Sequence, residues 1–184
     1  MKIMNKMKKT KKIKKITKIS LILFITLFLV TGCKEEVRFS SGEKVTADTD
    51  TTNATGILIC SRNGKGLNNS TAELSYEVSY KKGYLEIVHS LETLISEDQE
   101  TLDTYENAYK NIFNTYKDLE HYENSIKRET DRVTSDTTIN YSKIDMNKLE
   151  ALEASDQNLI KNGKISLKDW LTFAEKLGTK CIEK

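Results

Sequence analysis

The segment that precedes Cys33 constrains this chain most, because it divides the chain into two parts of opposite charge. Residues 1–32 contain nine lysines and no acidic residue. The whole chain of 184 residues carries a net charge of +2, so the part from Cys33 onward holds 20 basic against 27 acidic side chains, a net charge of −7. A basic surface for nucleic acid is therefore not expected on the folded part.

An apolar stretch of twelve residues, Ile19 to Val30, follows the lysines and is interrupted only by Ser20 and Thr26. A positive region, a short apolar region and small residues at its end are the order of a secretory signal. A membrane-spanning helix needs about 20 apolar residues, and a longer span here would bury three lysines. The sequence therefore predicts a signal peptide over residues 1–32, and a retained N-terminal membrane anchor is the alternative.

The apolar stretch ends in Val30-Thr31-Gly32-Cys33, which resembles the lipobox of bacterial lipoproteins. The resemblance implies that Cys33 receives a diacylglyceryl group with palmitate-type chains, and that a signal peptidase cuts before it. Two acyl chains anchor a protein stably, whereas one chain binds only marginally. The expected location is the extracytoplasmic face of the cell membrane, and an ordinary cysteine after a cleaved signal is the alternative.

Residues 33–55 are predicted to form a disordered tether after the lipidated cysteine. From Lys34 to Thr55 the chain is rich in Ser, Thr, Asp, Glu and Lys, and its sizeable apolar residues are Val37, Phe39 and Val45. Such a segment buries too little apolar surface by itself to offset the entropy of ordering. As a flexible coil it would reach about 25 Å.

Residues 56–184 are predicted to form one globular domain. Hydrophobic periodicity and turn signals give, in order, strands over 56–60, 73–80 and 84–95, a long helix after a capping box at Ser96 and Gln99, strands over 122–128 and 133–144, a short helix capped by Asp145, a tight turn at Asn162-Gly163, and a last helix capped by Ser166 and Asp169. This order predicts an α+β fold in which an antiparallel sheet packs with one long and two shorter helices.

The long helix carries apolar and aromatic residues at steps of three and four, namely Leu102, Tyr105, Tyr109, Ile112, Phe113 and Tyr116. Such a stripe usually faces a protein core, so we predict core packing here rather than a ligand platform. The polar run 135–138 is predicted to be a solvated strand face.

Cys60 and Cys181 lie near the two ends of the predicted domain. In an exported protein they are expected to form a disulfide, because that compartment lets disulfides persist. Two free thiols or a redox-active pair are the alternatives, although the closely spaced Cys-x-x-Cys arrangement of redox proteins is missing.

Motifs that carry chemistry are not found in the sequence. The EF-hand register fails at Asp48–Asn53 and again over 158–169, and neither a Gly-x-Ser-x-Gly elbow nor a P-loop occurs. His89 and His121 are not linked by any pattern. We therefore predict no catalytic residue, cofactor or metal ligand. The expected role is a noncatalytic binding or structural domain, with a cell-envelope enzyme of unrecognised site as the alternative.

Expected partners follow from the anchor. The membrane is contacted through the lipid on Cys33, nucleic acid is not a partner, and a cell-envelope protein or a small ligand stays open. A monomer is expected.

The order of elements is similar to that of the YehR-like family of small uncharacterised bacterial lipoproteins. The lipobox, the strand-helix-strand middle, the phrase Ile139–Asp145 before a short helix, and the closing helix from Lys164-Ile165-Ser166-Leu167 to Gly178 support the resemblance, which covers roughly residues 56–184. It implies an α+β lipoprotein domain with no assigned activity, so no functional residue is transferred.

Overall fold

A computed structural model describes residues 36–152 and 159–184 of the chain. Nine strands and three helices lie in these ranges: β1 (Lys44–Val45), β2 (Gly56–Lys65), β3 (Thr71–Lys81), β4 (Tyr84–Ile95), α1 (Gln99–Tyr116), β5 (Tyr122–Arg128), β6 (Arg132–Asn140), α2 (Met146–Leu152), β7 (Ile160–Lys161), β8 (Lys164–Ile165), α3 (Leu167–Lys176) and β9 (Lys180–Glu183). The predicted α+β fold, with one long and two shorter helices, is confirmed.

Seven strands form one antiparallel sheet in the order β1-β9-β2-β3-β4-β6-β5. The long strands β2, β3 and β4 follow one another as a meander. The tight turn between β3 and β4 uses Lys82 and Gly83, both with positive φ, at 52° and 77°. A Cβ atom on Gly83 would lie 2.7 Å from the Thr51 carbonyl oxygen. This turn therefore requires glycine for two reasons, its backbone angle and the close approach of a neighbouring segment.

The sheet buries one face and leaves the other open, because side chains alternate along each strand. The inner face of the central strands packs with the helices. Leu58, Val78 and Tyr80 are almost completely buried there, and the Trp170 ring of α3 meets the Tyr76 ring edge-on at 5.5 Å. The open face carries partly exposed apolar side chains, among them Ile87, Leu91 and Ile182.

Residues 36–55 are part of this domain, so the prediction of a tether over 33–55 is wrong for them. Val45 in β1 pairs with Cys181 of β9, and both Val45 and Ala54 are at most 1% exposed. The Val37 amide donates to the Asn53 carbonyl, and the Thr55 amide donates to the Val37 carbonyl. The compact unit accordingly begins at Glu36 rather than at Gly56.

The physical reason for this difference is that a segment poor in apolar residues can be ordered by a surface made elsewhere. The edge of β9 supplies backbone partners for β1, and the inner face of the sheet covers Val45. A prediction from composition considers only the apolar surface within the segment. It therefore misses the backbone pairing with β9 and the burial that the sheet provides.

Helix α1 begins two residues later than predicted, because Asp98 and not Ser96 caps it. The Asp98 carboxylate accepts from the amides of Glu100 and Thr101, while the Ser96 hydroxyl accepts from the Asp98 amide. The predicted caps at Asp145 and Ser166 are confirmed, since Asp145 accepts from two amides of α2 and Ser166 accepts from the Asp169 amide. The Asn162-Gly163 turn is also confirmed, with positive φ at both residues.

The C-terminal strand β9 was not predicted, yet it lies inside the sheet between β1 and β2. Its Glu183 is 6% exposed and accepts from the Tyr80 hydroxyl at 2.7 Å and from the Ile57 amide at 3.2 Å. Burial, followed by the hydrogen bond to Glu183, raises the pKa of the Tyr80 hydroxyl. A Cβ atom on Gly56 would lie 2.0 Å from the nearer Glu183 carboxylate oxygen. A glycine at this position thus lets the last strand close against the first long strand.

Candidate functional site

The predicted lipidation site lies outside the described residues. Val30, Thr31, Gly32 and Cys33 all fall in residues 1–35, so nothing structural is added to that prediction.

The predicted disulfide is present. Cys60 of β2 and Cys181 of β9 are direct cross-strand partners, and their sulfurs are bonded. Their Cα atoms are 4.0 Å apart, and the two residues are separated by 121 positions in the sequence. Both are buried in the core. The disulfide thus fixes the C-terminal strand to the first long strand of the sheet.

The two histidines lie apart from any recognisable centre. His89 projects from the open face of β4, where its Nε2 atom is 2.8 Å from an Asp136 carboxylate oxygen on β6. His121 lies with positive φ in the turn before β5. Within residues 36–152 and 159–184, no group of three or more His, Cys, Asp or Glu side chains is placed to hold a metal ion. No helix in these ranges is long and apolar enough to cross a bilayer.

A cavity of about 200 Å³ lies between α1 and the inner face of the sheet, and we call it the tyrosine cavity. Its floor is unusual for the inner face of a sheet, because Ser90 and Glu92 of β4 and Ser135 and Thr137 of β6 carry polar groups there. The other lining side chains are aromatic or aliphatic: Tyr109, Ile112, Tyr116, Tyr122, Ile139, Tyr141 and Leu149.

The polar floor follows from the strand register. Ser90 pairs with Thr137 and Glu92 pairs with Ser135, so the four polar side chains form two adjacent cross-strand pairs. Val88 and Ile139 form the next pair on one side, and Leu94 and Val133 the next on the other. Apolar pairs therefore bound a polar patch in the middle of the helix-covered face.

Glu92 is the charged group of this patch. Its carboxylate lies close enough to the Tyr109 hydroxyl of α1 for each group to affect the pKa of the other. Burial raises the pKa of Glu92, and the positive charge of Arg62 opposes that rise. Burial first, and then the charge of Glu92, raise the pKa of Tyr109. The carboxylate is thus held in a partly dehydrated environment where charge interactions are stronger than in water.

Other polar groups near the floor are linked in a hydrogen-bond network. The Asn124 side-chain amide donates to the Ser135 hydroxyl at 3.0 Å and to the Thr137 hydroxyl at 2.6 Å. The Asn124 Oδ1 atom is buried and has no hydrogen-bond partner in the described part of the chain. The rings of Tyr116 and Tyr122 lie beside each other, with centroids 5.5 Å apart and planes tilted by 38°. Tyrosine side chains and hydrogen-bonding groups therefore lie close together around one small space.

A second, larger cleft of about 430 Å³ lies near the β3–β4 turn. Lys81, Lys82 and Lys164 line it, and the Lys164 ammonium lies 4.9 Å from the centroid of the Tyr84 ring. These lysines and Tyr84 are exposed. Their charges are screened by solvent and salt, so this cleft is a weaker candidate than the tyrosine cavity.

The predicted core packing of the α1 stripe holds in part, because its aromatic side chains pack against the buried core, but the prediction missed the cavity that Tyr109 and Tyr116 line. Of that stripe Leu102 is fully buried, whereas Tyr109 and Tyr116 line the cavity and Ile112 is 53% exposed. The run 135–138 was expected to be a solvated face, yet Ser135 is 7% exposed and faces α1. The sequence contains one signal, a polar strand together with a tyrosine-rich helix. Only the strand register shows that the two face each other.

Comparisons with known proteins show no match to any protein-family model and no match among curated proteins. Two solved structures are similar to the chain. An NMR structure of a protein from Streptococcus pneumoniae TIGR4 has 15% identity and a TM-score of 0.44, covering 82% of this chain and 97% of its own. The NMR structure of the YehR protein from E. coli has 15% identity and a TM-score of 0.48, covering 70% of this chain and 91% of its own. Neither likeness bears on function or on individual residues. The solved structures similar to this chain thus include YehR itself, whose family the order of sequence elements resembles.

Proposed function

We propose that this protein is a lipid-anchored lipoprotein of the extracytoplasmic face of the cytoplasmic membrane, with a domain that binds a small ligand without catalysis. The observation that supports export most directly is the Cys60–Cys181 disulfide. Disulfides of this structural kind persist outside the reducing cytosol. The charged and apolar order of residues 1–32 points to the same compartment.

Anchoring in this proposal depends on the lipid. From Cys33 onward the chain has a net charge of −7, so electrostatic attraction to anionic headgroups does not help to hold it. Two acyl chains on Cys33 supply a stable anchor by themselves. Residues 36–55 belong to the compact unit that begins at Glu36, so they do not add the flexible spacer that their composition suggested.

The binding role is supported by the chemistry of the tyrosine cavity. Concave sites lined by aromatic and apolar side chains, with a few placed polar groups, are the usual form of small-molecule sites. Here Glu92 and the hydroxyls of Ser90, Ser135 and Thr137 supply the polar groups. These groups suit recognition of a ligand through hydrogen bonds and one charge.

Anchoring is tested by labelling cells with an alkyne-tagged palmitate analogue and partitioning their extracts with a phase-separating detergent. The wild-type protein is expected to carry the label, to enter the detergent phase and to have a mature mass that begins at Cys33. Cys33→Ala is expected to lose the label and to accumulate as precursor or to enter the aqueous phase.

The matched control for this experiment is the Cys60→Ala/Cys181→Ala protein, which lacks the other two cysteines and should still be labelled. An unlabelled wild-type protein in the aqueous phase would overturn the anchoring proposal. Alkylation of both Cys60 and Cys181 in protein isolated without reductant would remove its main structural support.

A further inference from the structure

The tyrosine cavity has an asymmetric charge. Among the described residues that line it, Glu92 is the only one with a full charge. Arg62 lies close enough to affect the pKa of Glu92, but its guanidinium donates to the Leu177 carbonyl and it is not a lining residue. An anionic ligand would meet the Glu92 carboxylate here, whose charge Arg62 offsets only from outside the lining. A cationic ligand would meet its counter-charge in a partly dehydrated space, where the attraction is stronger than at the surface.

Aromatic rings supply the second attraction for a cation. Tyr109, Tyr116, Tyr122 and Tyr141 line the cavity, and the negative π face of a tyrosine attracts a cation whose distance from the ring centroid is within about 6 Å. Aromatic side chains grouped around a site are an arrangement by which proteins bind organic ammonium groups. Such ligands carry diffuse charge and apolar methyl or methylene surface, which suits the aliphatic walls formed by Ile139 and Leu149.

The volume limits the size of the occupant. About 200 Å³ is below the range of about 300–1,000 Å³ that is typical of drug-sized ligands. A bare metal ion does not fit this chemistry either, because Ca²⁺ takes six to eight oxygen ligands and the lining offers one carboxylate. A small organic cation matches both the volume and the lining.

We propose that the tyrosine cavity binds a small organic ammonium cation, with the Glu92 carboxylate as its counter-charge and the tyrosine rings as cation–π partners. This inference rests on the proposed binding function and names its ligand class. Tyr109 lies on the α1 side of this arrangement, where it lines the cavity together with Glu92.

The test is an NMR titration of the purified full chain in a nonionic detergent. Choline is the cationic probe, and 3,3-dimethyl-1-butanol, which has carbon in place of the ammonium nitrogen, is the neutral control of equal shape. Saturable binding of choline is expected, with its methyl proton signals shifted upfield by the tyrosine rings. The neutral control should bind at least about tenfold more weakly than choline, because it lacks the charge that forms a desolvated cation–π contact.

Two variants test the assigned partners. Glu92→Gln keeps the hydrogen-bonding shape but removes the charge, and it should weaken choline binding about tenfold without changing the binding of the neutral control. Tyr116→Leu removes one ring and should reduce the upfield shift of the methyl signals. The matched control is Glu73→Gln, which removes the same charge at an exposed position on the open face of β3. It should leave choline binding unchanged. Circular dichroism and thermal unfolding establish that each variant is folded.

Three outcomes would overturn the inference: no saturable choline binding, equal binding of the neutral control, or unchanged choline affinity in a folded Glu92→Gln protein. Each of these can occur with the lipid anchor intact, in which case the anchoring proposal stands. An unlabelled, aqueous wild-type protein would instead overturn the anchoring and leave the cavity result unaffected.

Discussion

Removing the Cys60–Cys181 disulfide is expected to reduce the free energy of unfolding by about 5 kcal/mol. The two cysteines are 121 residues apart, and the chain-entropy relation for a closed loop of that length gives about 5 kcal/mol at 25 °C. Domains of this size have a total stability of about 5–15 kcal/mol. The disulfide therefore contributes a large fraction of the stability of this fold.

The position of β9 explains why so much depends on one bond. This strand has four residues, and β1, with two residues, pairs with it. Without the disulfide, the free energy to open β9 falls because its release no longer requires the whole sheet to unfold. Release of β9 would also remove the pairing partner of β1.

The assay is guanidinium unfolding of one protein preparation with and without reductant, beside the Cys60→Ala/Cys181→Ala protein. All samples carry Cys33→Ala, so that lipid does not affect the unfolding. The midpoint is expected to fall strongly in the reduced and in the double-alanine samples. Amide exchange over 180–183 should quicken most. A loss below about 1 kcal/mol in both samples would refute the chain-entropy argument for this domain.

Three further predictions follow from single positions. Gly56→Ala should destabilise the domain by more than about 1 kcal/mol in denaturant unfolding, because the added Cβ would lie 2.0 Å from an oxygen of the Glu183 carboxylate, which hydrogen bonds from the Tyr80 hydroxyl and the Ile57 amide hold in place; an unchanged midpoint would contradict this close approach. Glu92→Gln should gain stability relative to the wild type between pH 4 and pH 7: burial raises the pKa of Glu92, so in the wild type the stabilisation present below pH 4.5, its ordinary pKa, is lost as pH rises through the raised pKa. Thermal unfolding of both proteins at pH 4 and pH 7 checks this, and an equal change in midpoint for the two proteins would refute it. Ser166→Ala should cost about 1 kcal/mol as a lost N-cap, whereas Ser166→Thr, which keeps the hydroxyl that bonds the Asp169 amide and carboxylate, should retain most of the stability; equal losses in urea unfolding would exclude a capping role.

Elements that depend on local sequence were predicted well. Alternation along 73–80 and 84–95 and periodicity after Gln99 gave β3, β4 and α1, because these patterns reflect which face of each element is buried. The caps at Asp145 and Ser166 and the Asn162-Gly163 turn depend on neighbours within a few residues, so they too could be read locally. The cap of α1 was placed at Ser96 instead of Asp98, since both residues can accept from amides and only the backbone geometry decides between them.

Elements that depend on distant partners were missed. β9 is short, and its pairing with β2 joins residues more than 100 positions apart. Val45 and Ala54 are buried by surfaces that residues 56–184 create, so the composition of residues 34–55 predicted a tether. Ser135 and Thr137 were assigned to a solvated face, because a polar strand gives no sign that a helix will cover it.

The sequence by itself determined the α+β class, the order of most main elements and the division of charge between residues 1–32 and the rest, and it favoured the pairing of Cys60 with Cys181 while leaving free thiols open. These features follow from local periodicity, turn chemistry and composition. Only the tertiary structure decided that the domain begins at Glu36, that β9 closes the sheet beside β2, and that Glu92 lies under the tyrosines of α1. The reason is that strand register and helix placement bring together side chains whose separation along the chain carries no local signal.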